Sequence, residues 1–90
     1  MKPSLPAKNF EYTFIGLDVD VYYPRRDGRE GAPDGPGGVD VRLAQDLVDR
    51  FVAAGARFVF VGPRTGLTGP PGVVQVLARH DGHLHVRLPS

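Results

Sequence analysis

The stretch HDGHLHVRL, residues 80–88, carries all three histidines of the chain. From His83 onward apolar and polar residues alternate with period two, the spacing that sends successive side chains to opposite faces of a strand. Leu84, Val86 and Leu88 therefore share one face, and His83, His85 and Arg87 share the other. The apolar set needs a core, so the imidazoles and the guanidinium are expected on the side away from it. The Asp-Gly pair before this strand, following VVQVLAR at residues 73–79, predicts a tight hairpin joining two neighbouring strands.

Working outward, FEYTFIGLDVDVYY at residues 10–23 predicts another strand, alternating from Leu17. Leu17, Val19, Val21 and Tyr23 take the inner side, and Asp18, Asp20 and Tyr22 the outer one. Pro24 ends it, having no N–H for the ladder. Residues 24–38 are turn formers and charges and predict a long loop. In DVRLAQDLVDRFVAAG, residues 40–55, the apolar residues Leu43, Leu47, Val48, Phe51 and Val52 recur at helical spacing. Asp40 is the expected N-cap and Gly55 the left-handed C-terminal cap. ARFVFVG at residues 56–62 is β-branched and aromatic and predicts a central strand covered on both faces. Residues 1–9, with two prolines and two lysines, are expected to form a flexible arm. The order strand, helix, strand, strand, strand predicts one α+β domain over residues 10–90. Its expected form is a small, mostly antiparallel sheet of about four strands, with one helix packed on its apolar face.

Bulk composition narrows the function. Ninety residues make a single domain with a modest core. Eleven basic against ten acidic residues give no single-sign field of the kind that drives nucleic-acid or anionic-membrane binding. With no cysteine there is neither disulfide framework nor thiolate metal site. No apolar run is long enough for a membrane span or a signal-peptide core. The only serines are Ser4 and Ser90, and the glycine-rich GPGG and GPPG lack the lysine of a phosphate-cradling loop, so serine hydrolase and nucleotide-binding readings fall away.

What remains is the polar sheet face. If the strands bearing Asp18, Asp20 and Tyr22 and His83, His85 and Arg87 are neighbours, imidazole nitrogens and carboxylate oxygens meet there, with His80 approaching from the turn. That is the donor set of a catalytic zinc. Taken alone, a His-X-His on an exposed strand is more often a solvated surface pair than a metal site. Arg87 can hold a substrate carboxylate or pair across the strands with Asp18 or Asp20. Tyr22 can touch a substrate from the same face or serve only in packing.

HDGHLHVRL resembles the closing motif of the LAS metallopeptidases (lysostaphin, D-Ala-D-Ala peptidases, hedgehog), in particular the penicillin-insensitive murein endopeptidase branch, which carries His-Asp-Asp-His-Phe-His-hydrophobic-Arg. GLDVDVYYP, residues 16–24, resembles that branch's other motif, Ser-His-X-X-Gly-Leu-Asp-hydrophobic-Asp. The similarity runs from about Gly16 to Leu88. It implies one Zn2+ ion with Asp20 and His85 as ligands, His83 as general base or transition-state stabiliser, His80 as an additional active-site histidine and Asp18 as a supporting carboxylate. It also implies amide hydrolysis in peptidoglycan cross-links, with peptidoglycan peptide as partner and a periplasmic, extracellular or cell-wall location; without the family, the missing leader implies the cytoplasm. Two departures stand out. Thr13 occupies the place of the first zinc histidine, seven residues before Asp20, and Gly82 replaces the second Asp of the closing motif. Members of the branch also carry further N-terminal sequence. The departure at Thr13 keeps a second expectation open: a non-catalytic relative that binds a metal or a cell-wall peptide without cleaving it.

Overall fold

Two hairpin-forming strands begin the fold, β1 (Tyr12–Ile15) and β2 (Asp18–Tyr22), paired antiparallel from Tyr12 opposite Val21 to Ile15 opposite Asp18. The computed structural model describes residues 12–15, by their backbone only, and residues 17–89; the expected arm at residues 1–9 lies outside the described residues. The chain reverses between Ile15 and Asp18, so residues 10–23 do not make one strand. Leu17 sits in that turn and is 42% exposed, rather than inward-facing. The alternation holds from Asp18 onward, with Val19 and Val21 buried and Asp18 and Asp20 on the other side.

After the loop and a single 3-10 turn at Pro36–Gly38 comes the helix α1 (Val41–Ala53). Asp40 caps it, its Oδ1 accepting from the Leu43 N–H at 3.1 Å, which satisfies one of the orphan donors of the first turn. At the other end Gly55 adopts φ +88, and the N–H groups of Gly55 and Ala56 donate to the carbonyls of Val52 and Phe51 at 3.0 Å each. This is the Schellman arrangement, and the left-handed residue it needs is the expected glycine. Ala44, Leu47, Val48 and Phe51 are the buried stripe. Leu43 is 44% exposed, a correction to the expected stripe, because Ala44 takes the inward position of the first turn.

Strands β3 (Phe58–Val61), β4 (Val74–Val76) and β5 (His83–Arg87) complete, among the described residues, one five-stranded sheet in the order β1-β2-β5-β3-β4. β5 pairs antiparallel with both β2 and β3, and β3 pairs parallel with β4, so the sheet is mixed. The α+β architecture with one helix on a small sheet is as expected. The hairpin expected between β4 and β5 does not form. β4 lies on one side of β3 and β5 on the other, and the chain between them crosses the end of β3 at Gly62. Local turn propensity of Asp81-Gly82 yields here to long-range pairing, since β5 finds two partners in the sheet interior instead of one at its edge.

The core is the layer between α1 and the inner sheet face: Val19, Val21, Val59, Val61, Leu84 and Val86 from the strands meet Leu47, Val48 and Phe51 from the helix. The opposite face carries no helix among the described residues. Phe58 and Phe60 are only half-buried there, so β3 is covered on one face and not on both.

Candidate functional site

Pairing register turns the open face into rows. One row carries Thr13, Asp20, His85 and Phe60; the next carries Ile15, Asp18, Arg87 and Phe58; a third places Tyr22 opposite His83. Residues opposite one another in an antiparallel ladder share a face, so the two acidic residues and the two strand histidines are gathered by the backbone itself. Asp20 and His85 lie 65 positions apart in sequence, and the His85 Nδ1 stands 2.7 Å from the Asp20 Oδ1. An ionised carboxylate only accepts, so Nδ1 is the donor of this pair.

Asp18 is the second carboxylate of the face. It accepts from the Arg87 Nε and Nη2 at 2.5 and 3.0 Å, a fork-to-fork pair, and its Oδ1 is 3.4 Å from the His85 Nε2. Such two-pronged contacts fix orientation as well as charge. The Arg87 guanidinium also stands 5.8 Å from the centre of the Phe58 ring, within reach of cation–π attraction. Arg87 thus makes the cross-strand pair with Asp18, and its side chain remains 40% exposed. Tyr22 is exposed beside His83.

His80 enters from the turn before β5. Its ring centroid is 4.9 Å from that of His83 and 6.4 Å from that of His85. Its Nδ1 donates to the Ala78 carbonyl at 2.8 Å, which leaves Nε2 as the unprotonated nitrogen of the neutral ring. Burial, reinforced by His80 and then by His85, holds the His83 imidazole below its ordinary value against the opposing pull of Asp20. The remaining neighbours are aromatic. Phe58 and Phe60 stack at 4.4 Å, each lies 6.0 Å from His85, and Phe60 is also 6.0 Å from His80. Sequence reasoning missed these two as site residues. Their alternation with Val59 and Val61 was the signal, hidden by treating the strand as buried on both sides.

The donor set can be tested against zinc. Two ligand atoms around a tetrahedral zinc, each at about 2.0–2.2 Å, stand roughly 3.3 Å apart. To hold one ion between them, the Asp20 Oδ1 and His85 Nδ1, now 2.7 Å apart, would need to part by roughly half an ångström and His85 would have to give up the proton that joins them. In kind and placement these two fit. In number they are two, and among the described residues no group of three or more His, Asp or Glu side chains is placed to share one ion. Thr13 holds the register position opposite Asp20, at the far end of the row from His85. Gly82, where the resembling motif has a carboxylate, has open space where a Cβ would go, so its lack of a side chain is not enforced by packing. No protein-family model, curated protein or solved structure matches the chain.

Proposed function

We propose that this face is a murein endopeptidase-like site, directed at an amide bond of peptidoglycan cross-links and dependent on one zinc ion. The observation that carries the reading is the Asp20–His85 contact at 2.7 Å on the open side of the sheet, with His83 and His80 beside it. Asp20 and His85 would hold the metal. Zinc, when bound, polarises a carbonyl and lowers the pKa of a bound water.

The rest of the chemistry belongs to the chain. Asp18, forked onto Arg87, stands behind His85 and limits the directions that ring can take. His83, half-buried and next to His80, is the group positioned to take a proton from an attacking water and return it to the leaving amine. Phe58 and Phe60 give the site an apolar floor that keeps bulk water from one side of it. Tyr22, exposed at the rim beside His83, is the side chain a bound peptide would meet first. Peptidoglycan as substrate puts the working location in the periplasm, outside the cell or in the wall.

Thr13 favours a second reading: a relative that keeps the face and binds a cell-wall peptide or a metal without hydrolysis. A hydroxyl in place of an imidazole removes one of the three protein ligands a catalytic zinc takes. Zinc titration by calorimetry, repeated with Asp20→Ala and His85→Ala, separates the proposals at the first step. One-to-one binding lost in both variants supports the metal site; no binding by the parent protein refutes it. Release of monomeric muropeptides from cross-linked ones, stopped by a chelator and restored by zinc, then distinguishes the hydrolase from the binder.

A further inference from the structure

Outside the acid–imidazole row, a cluster of polar constraints among the described residues surrounds the turn that carries His80. Arg79 has φ +66, the only positive φ of a non-glycine residue among those described. An L-residue held in that region is strained, and such strain persists only where the surroundings over-determine it. The surroundings here are specific. The Tyr23 hydroxyl donates to the His80 carbonyl at 2.7 Å and accepts from the Gly62 N–H at 3.2 Å. The Tyr23 N–H reaches the Gly82 carbonyl at 3.4 Å. Asp81 accepts from the Arg64 N–H at 3.0 Å. Gly62 lets the turn come so close that a Cβ there would lie 2.6 Å from the Asp81 backbone. Thr65, itself buried, bonds the Gly62 carbonyl at 2.9 Å and fixes the partner side of this contact.

We propose that Tyr23 and Asp81 are positioning residues that clamp the 78–82 turn to the end of β3, so that His80 presents its Nε2 lone pair to the open face beside His83. The geometry supplies the reason. With the turn fixed, the His80 Nδ1 is committed to the Ala78 carbonyl at 2.8 Å, and one tautomer is selected. Freed from the turn, the same ring would exchange both tautomers and several rotamers. Tyr23 suits the task because it is 1% exposed and bridges two main-chain groups 18 residues apart, Gly62 and His80. Its own place is set from the core side, at the end of β2. The proposal rests on the hydrolase reading for what His80 does there, and not for how His80 is held.

The test is made on metal-free protein, so that neither zinc nor activity enters the readout. Long-range proton–nitrogen spectra of histidine-labelled protein report the tautomer of each ring, and cross-relaxation reports the approach of His80 to His83. The parent protein is expected to show His80 in the Nδ1–H form with ring contacts to His83. Tyr23→Phe, with its other core signals in place, is expected to shift His80 to a tautomer mixture and to lose those contacts. Asp81→Ala is expected to do the same in part, and Asp81→Asn, which keeps an acceptor oxygen, to restore the parent signature. If Tyr23→Phe does not fold, the Asp81 pair carries the decision. An unchanged His80 signature in Tyr23→Phe or, where that variant does not fold, in Asp81→Ala, or a parent protein with His80 in the Nε2–H form, overturns the clamp. A clamp that behaves as described in a chain that cleaves no muropeptide refutes the hydrolase proposal alone.

Discussion

Gly62→Ala is the substitution with the largest consequence for its size. The added Cβ would lie 2.1 Å from the Asp81 Oδ1 and 2.6 Å from both the Cα and the N of Asp81. The carboxylate can swing away at the cost of its bond to the Arg64 N–H, but the backbone atoms cannot. Non-bonded carbon contacts are comfortable near 3.5 Å, so the 78–82 turn would have to retreat by most of an ångström. Overpacking of this kind costs about 1–3 kcal/mol, and here the upper part of that range applies because the clash is with main chain on both sides. For a domain of this size, a loss of 2–3 kcal/mol lowers the melting temperature by roughly 10–20 °C. Urea unfolding followed by circular dichroism is the assay, with the loss expected in the midpoint and not in the slope. Gly82→Ala is the control. A Cβ at that position meets nothing within 4 Å, and Gly82 is not among the positive-φ residues, so a neutral to slightly stabilising effect is expected. A Gly62→Ala protein within about 0.5 kcal/mol of the parent, the range of ordinary surface changes, would refute the close crossing of β3 by the turn.

The other predictions concern the buried phenol, the helix stripe and its cap. Burial pushes the Tyr23 hydroxyl up to about 12, with the Asp81 charge adding to the rise against the Gly62 and Thr65 hydrogen bonds that oppose it. Its unfolded value is near 10, so the stabilisation is complete below about pH 10 and is lost as pH rises toward 12, on the order of 2–3 kcal/mol in all. Urea midpoints measured from pH 8 to 12 should fall more steeply for the parent than for Tyr23→Phe, and parallel curves would count against the buried phenol. Leu47→Ala is expected to cost about 2–5 kcal/mol because Leu47 is 1% exposed, and Leu43→Ala well under half as much because Leu43 is 44% exposed; equal losses in thermal melts would contradict the observed stripe. Asp40→Ala should cost about 1 kcal/mol through loss of the Leu43 N–H bond, with Asp40→Ser restoring most of it in the same melts.

Much of the fold was legible because period-two and period-3.6 patterns are set by backbone geometry and survive any topology. The alternations of β2 and β5, the helix over residues 41–53 and both of its caps follow from such patterns. Leu43 escaped because helical spacing admits Leu43 or Ala44 as the first inward residue, and hydrophobicity favoured the wrong one. Strand order was less legible. Asp81-Gly82 has the chemistry of a hairpin turn, yet the pairing is decided by which strand offers β5 a second ladder and by Gly62, whose bare Cα permits the chain to pass over β3. Nothing within the VVQVLARHDGHLHVRL segment encodes that choice.

The candidate site divides along the same line. Alternation tells which face Asp18, Asp20, His83 and His85 occupy, but only the register of β2 on β5 brings Asp20 to His85 instead of to Arg87. A slip of two residues would preserve every buried side chain on the inner face and still exchange the partners: His85 would lie opposite Asp18 or Tyr22, and Asp20 opposite Arg87 or His83. The ladder therefore specifies the chemistry more narrowly than the hydrophobic pattern does. What pins it lies partly in the site itself, in the Arg87–Asp18 fork and the Asp20–His85 bond. The same polar contacts that define the site also select the register that creates it, so their loss should be read as a loss of alignment as well as of function. In that aligned row Thr13 stands across from Asp20, so the proposed metal site would have to draw a further ligand from His83, His80 or the substrate to reach the three protein ligands a catalytic zinc takes.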